Sequence, residues 1–176
     1  NVNIEIAQNP LLWACYKNNP NIAKSLIKNG ANIDEAALYA ALSSGNENLL
    51  RFLIANMPKC NPQIISYALH YFIQQYNSIA NSIKINITNM VKNSGATDGQ
   101  INIDFVKRLI ENLSQETLNN ILELLVERAD LSVKDKKGLT PLAVAIVSKN
   151  LPISCRLIKD KGRANYINTL SDYYNN

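Results

Sequence analysis

The chain of 176 residues carries 18 basic and 14 acidic side chains, a formal net charge of +4, and is 47% hydrophobic. That length fits one ordinary domain, which in compact form buries roughly 70% of its unfolded surface. No run approaches the roughly 20 apolar residues that a bilayer-spanning helix needs, and Asn1 to Ile6 offer neither the basic start nor the apolar core of a secretory signal.

Cys15, Cys60 and Cys155 are odd in number, far apart and set in helical patterns, so no disulfide framework is expected and a reducing, cytoplasmic compartment is the reading. Charge is uneven along the chain. Residues 101–130 hold three basic and six acidic side chains, whereas residues 131–176 hold eight and three. The chain opens on Asn1 rather than methionine, and the expectation is one domain, 1–176, within a longer protein.

In chain order, Asn9-Pro10-Leu11-Leu12-Trp13-Ala14-Cys15 predicts a helix capped by Asn9, with Pro10 in the first position, where its missing donor costs nothing. Asn18-Asn19-Pro20-Asn21 ends that helix and caps another. In the second, Ile22, Ala23, Leu26 and Ile27 recur at helical spacing up to a stop at Asn29-Gly30. A second pair follows from Asp34 to Met57: Ala37, Leu38, Ala41 and Leu42, a Gly45-Asn46 turn, then Leu49, Leu50, Leu53 and Ile54. Pro58 and Pro62 bound it.

From Asn61 to Gly95 two longer stripes appear, one through Ile64, Ile65, Ala68, Leu69 and Phe72, the other through Ile79, Ile83, Ile87, Met90 and Val91. Ser94 to Gly99 reads as a loop. Ile103, Val106, Leu109 and Ile110 mark a helix expected to stop near Asn112 and Leu113. Ser114 or Thr117 is expected to cap another, through Leu118, Ile121, Leu122, Leu124 and Leu125. Then comes the most legible stretch. In Lys134 to Leu142, Asp135 and Gly138 suit a tight turn that needs one positive φ, Thr140 suits an N-cap, and Pro141 suits the first helical position. Leu142, Ala145 and Ile146 then give one narrow apolar face. Gly162 closes the last clear helix, and Asn165 to Asn176 read as a cap or the start of a further repeat.

Chemistry-bearing patterns are sparse. His70 is the only histidine and has no cysteine, aspartate or second histidine at ligand spacing, so neither a metal site nor a histidine-relayed nucleophile is assigned. Gly95 and Gly99 lack the strand and the Gly-Lys-Ser/Thr ending of a phosphate loop. Asp104, Glu111, Glu123 and Glu127 read as solvated helix faces. Lys134, Lys136, Lys137, Lys149, Arg156, Lys159, Lys161 and Arg163 offer a basic quarter for phosphate or nucleic acid, held as a minority reading because they divide between hairpin and outer helix.

Gly138, Thr140, Pro141, Leu142 and Ala145, with Leu157, Ile158 and Gly162, resemble an ankyrin repeat, and residues 9–57 resemble two more. Such repeats run to about 33 residues and cannot bury their apolar face alone. The resemblance covers about 9–57 and 124–163 around an irregular centre. It implies an all-α solenoid of about five helix-turn-helix pairs, with the hairpin between the first two cut short. Leu12 stands where the family usually has histidine. Also implied is a binding scaffold without catalysis and without a cofactor, whose inner helices and hairpin tips hold a partner protein. On that surface the expected residues are Leu12, Tyr16, Lys17, Tyr39, Ser43, Ser44, Lys134, Lys136, Ala143, Val147 and Ser148. Alternatives are a targeting or regulatory module of a larger enzyme, resembling the host-directed repeat proteins of intracellular bacteria, and the basic quarter as a phosphate or nucleic-acid surface.

Overall fold

Short polar side chains set where the helices begin. Asn9 accepts from the Leu12 N–H at 3.0 Å, Asn19 from Ile22 at 3.2 Å, Asp34 from Ala37 at 2.8 Å, Asn46 from Leu49 at 2.9 Å and Asn150 from Ile153 at 3.3 Å. Each bond satisfies one of the N–H groups that a helix start leaves free, and such a cap contributes about 1 kcal/mol. Thr140 does the same for Ala143, with Pro141 in the first position, as its sequence predicts.

The computed structural model describes residues 9–57, 62–93 and 103–159. Among the described residues there are nine α-helices and no strand: α1 Pro10–Tyr16, α2 Pro20–Lys28, α3 Glu35–Ser44, α4 Glu47–Asn56, α5 Pro62–Gln74, α6 Tyr76–Asn93, α7 Ile103–Val126, α8 Pro141–Val147 and α9 Leu151–Ile158. Cys60, the expected loop from Ser94 to Gly99, Gly162 and the tail from Asn165 lie outside the described residues. The helices group into two units. One holds the chain through Asn56 together with Asn77–Ile121, and the other holds Met57–Tyr76 and the chain from Leu122 onward.

In the first unit α1 packs on both α2 and α3, α3 on α4, and α2 on α4. Inner helix thus stacks on inner helix and outer on outer. Alpha-helices α1 and α3 run side by side in the same direction: Asn9 donates to Asp34 at 3.0 Å where both begin, and Asn46 donates to Asn18 at 2.7 Å where both have ended. Ala14, Ala23, Ala37 and Ala41 are buried in this stack, which lets backbones approach closely, while Leu38, Leu42, Leu49, Leu50, Leu53 and Ile54 fill it. No hairpin separates α2 from α3; six residues connect them, which is the shortening that the sequence predicts. Ile79 and Ile83 of α6 are buried in this unit as well, and Asn86 donates to the Ser44 carbonyl at 2.8 Å.

In the second unit α5 packs on α8 and α8 on α9. The hairpin before α8 is tied to α5 twice: the Asp130 N–H donates to Ser66 Oγ at 2.8 Å, and His70 Nε2 lies 2.9 Å from the Val133 carbonyl. Its turn closes on Asp135, whose carboxylate accepts from Lys137 at 2.9 Å and Leu139 at 3.0 Å, with Gly138 at φ 77°. The end of α7 belongs here too, through the Glu123–Arg156 ion pair to α9. In chain order this unit holds α5, the end of α7, the hairpin, α8 and α9, with Asn77–Ile121 intercalated between α5 and the end of α7.

One expectation is corrected. The helix expected to stop near Asn112 and Leu113 continues unbroken from Ile103 to Val126. Ser114 and Thr117 do not cap a new helix; their hydroxyls donate back to the carbonyls of Ile110 at 2.6 Å and Leu113 at 2.9 Å, a bond available to Ser and Thr inside a helix.

Candidate functional site

Burial of Leu11, Ala14 and Cys15 at i, i+3 and i+4 uses up one face of α1 and turns its other face outward. That face carries Trp13, 46% exposed, Tyr16, 58% exposed, and Lys17. The two ring centroids are 6.3 Å apart and tilted by 32°. Lys17 closes the arrangement from the helix end, its Nζ 4.8 Å from the Trp13 ring and 5.5 Å from that of Tyr16. A cation over exposed ring faces contributes about 0.5–1 kcal/mol, enough to bias the lysine toward one place.

Of the other residues expected on the surface of this unit, Leu12, Tyr39, Ser43 and Ser44 are partly buried. Tyr39 donates its hydroxyl to Glu35, and Ser44 donates to the Ala41 carbonyl at 2.8 Å. Beyond the ends of α1 and α3 a cavity of about 370 Å³ opens to solvent, lined by Asn18, Gly45, Asn46, Ile83, Asn86 and Met90 among others.

In the second unit Lys134 and Lys136 are exposed at the hairpin, and Val147 and Ser148 are exposed where α8 ends. Ala143 is not on the surface: only 1% of it is exposed, so the expectation that it touches a partner is corrected. The cause is that α8 packs both α5 and α9, which leaves its middle turns closed and a single methyl unable to reach out.

Trp13 was missing from the expected set. A large apolar residue inside a helix-opening motif reads as core; the spacing of Leu11, Ala14 and Cys15 is the signal that places it outside, because those three already fill the buried face.

Three titratable groups are displaced from their ordinary values. Burial, and after it the charge of Asp34, pushes the Cys15 thiol up to about 11, so it stays protonated at neutral pH and is a poor nucleophile. His70 is held below its ordinary value chiefly by burial, against the opposing pull of its hydrogen bond to Val133 and of Asp135. A carbonyl only accepts, so Nε2 carries the proton; Nδ1 is buried without a partner among the described residues. The Glu123 carboxyl is held below the usual range by its hydrogen bonds to Arg156. Among the described residues no group of three or more His, Cys, Asp or Glu side chains is placed to hold a metal ion.

Residues 1–66 match a family model described as ankyrin repeats, in three copies. No curated protein and no solved structure shows a significant match.

Proposed function

We propose that this chain, whose residues 1–66 match the ankyrin-repeat family model, is an interaction scaffold that holds another protein on the outward face of its inner helices. Ankyrin repeats generally mediate such contacts, and stacked repeats leave a broad surface that their own packing does not use. The observation that carries the reading for this chain is the Trp13–Tyr16–Lys17 platform. Two large rings left in water cost hydrophobic free energy that a partner recovers, and Trp and Tyr are the side chains most enriched where binding energy concentrates.

The test is capture of partners from lysate by wild type and by the Trp13→Ala/Tyr16→Ala double variant. Neither ring supports the core, so far-UV circular dichroism stays as in wild type. Loss of two hot-spot side chains lowers affinity at least tenfold, given about 2 kcal/mol for such a residue. Equal capture by both proteins removes this face as the site.

A phosphate or nucleic-acid role for the basic quarter is less well supported, since Arg156 is committed to Glu123 and Asp135 sits among the hairpin lysines. The regulatory-module reading turns on sequence outside these residues. A reducing compartment fits the free thiols of Cys15 and Cys155.

A further inference from the structure

We propose that the Trp13–Tyr16–Lys17 platform selects an acidic peptide segment, one in which a carboxylate side chain stands beside an apolar one. This rests on the reading of that face as the binding site and adds the chemistry of what it takes.

The argument starts from a charge without a counter-charge. Lys17 is exposed and its Nζ contacts are the two ring faces; no carboxylate bonds to it among the described residues. The inner helices run in the same direction, so Lys17 lies at the end where both α1 and α3 finish. The acids of this layer, Asp34 and Glu35, lie at the opposite end, where Asp34 accepts from Asn9 and Glu35 from Tyr39. Residues 36–46 contain no acidic side chain. Glu47, the next one along the chain, is held by Arg51 at 2.8 Å and by Asn120 at 3.2 Å.

The rings decide what kind of group completes the site. Their faces are negative at the centre, and Lys17 already occupies them. An incoming cation would meet a like charge on rings that are taken. An incoming carboxylate meets an ammonium whose position the rings have biased beforehand, so less side-chain freedom is lost when the pair forms. The exposed parts of Trp13 and Tyr16 then accept the apolar neighbour of that carboxylate. Charge and apolar surface lie within one turn of α1, which fixes the two features of the peptide as adjacent.

The chain supplies its own reporter. Trp13 is its only tryptophan, so indole emission reads occupancy of this platform and of nothing else in the protein. Peptides are selected from a random twelve-residue display library against the whole chain, and the consensus peptide is then titrated against wild type, Lys17→Gln, Lys17→Glu and Trp13→Ala. The Trp13→Ala arm is read by anisotropy of a labelled peptide, and circular dichroism checks the fold of each variant. The expected consensus has Asp or Glu next to Leu, Ile or Phe and shifts Trp13 emission on binding. Affinity falls at least fivefold with Lys17→Gln and further with Lys17→Glu, and it weakens as salt rises from about 50 to 500 mM, since the pair is solvent-exposed. A consensus that is neutral or basic, or an affinity indifferent to Lys17→Gln while Trp13→Ala abolishes binding, overturns the acidic preference and leaves the platform as the site. Affinity unchanged by Trp13→Ala, or no enriched peptide at all, overturns both.

Discussion

Gly45 lies directly against Ile83 of α6, and substituting it should separate two costs that are usually confounded. Its φ is 67°, a left-handed conformation that costs a residue with a side chain about 1 kcal/mol. A Cβ placed there would lie 2.8 Å from Ile83 Cγ1 and 3.0 Å from the Ile83 backbone nitrogen. The Ile83 side chain could give way by a small shift, but the backbone nitrogen within the helix could not. Forcing extra volume into a packed contact costs about 1–3 kcal/mol, so Gly45→Ala should destabilise by about 2–4 kcal/mol in all. Gly138 is the control: its φ is 77°, yet a Cβ there would meet nothing within 4 Å. Gly138→Ala should therefore cost only the backbone strain, about 1 kcal/mol. Urea unfolding followed by circular dichroism measures both. If the two variants lose equal stability, the close approach of α6 to the α3–α4 turn is not what Gly45 serves, and the placement of α6 in this unit is wrong.

Three further outcomes follow from the geometry. The folded-state value of His70 lies below that of the unfolded chain, so between the two the unfolded state binds more protons. Stability is complete above the ordinary histidine value of about 6.5, falls as pH drops below it, and levels off below the folded value; His70→Gln, which keeps an N–H donor but does not titrate, should remove that part of the pH dependence of unfolding free energy below about pH 6.5. Cys155, exposed on α9, should alkylate with iodoacetamide at pH 8 within the time that Cys15 stays unmodified, as peptide mass mapping will show; equal labelling would mean that α1 opens readily. Asn112→Pro tests whether α7 is continuous. A proline deep in a helix costs about 3 kcal/mol or more, whereas at a true break it would be nearly neutral in thermal unfolding.

Legibility from sequence tracked how local the deciding contacts were. Asn9, Asn19 and Thr140 announce their helices because a cap bonds three residues ahead, and Asp135 with Gly138 announces its turn for the same reason. Ser114 and Thr117 misled because the same hydroxyl caps a helix or bonds backward inside one, and only packing on both sides decides which. The centre of the chain reads correctly as helical, but which helix packs with which depends on pairings such as His70 with Val133 and Asn86 with Ser44, each more than 40 residues apart. At the site, Tyr16 and Lys17 were legible as outward residues, Trp13 was hidden by its apolarity, and Ala143 was misplaced because its exposure depends on neighbours, not on position in the motif.

The intercalation of Asn77–Ile121 also has a bearing on synthesis. Ser66 and His70 of helix α5 leave the ribosome 64 and 63 residues before Asp130 and Val133, the residues they will bond. At about 5–20 residues per second, that is a wait of about 3–13 s. Throughout it Leu69, Phe72 and Ile73, wholly enclosed in the finished protein, have none of their later neighbours from α8 to lean on. A nascent chain of which the residues through Asn93 have emerged would thus present a sticky helix, and chaperone occupancy should peak at that stage and fall once α8 has emerged.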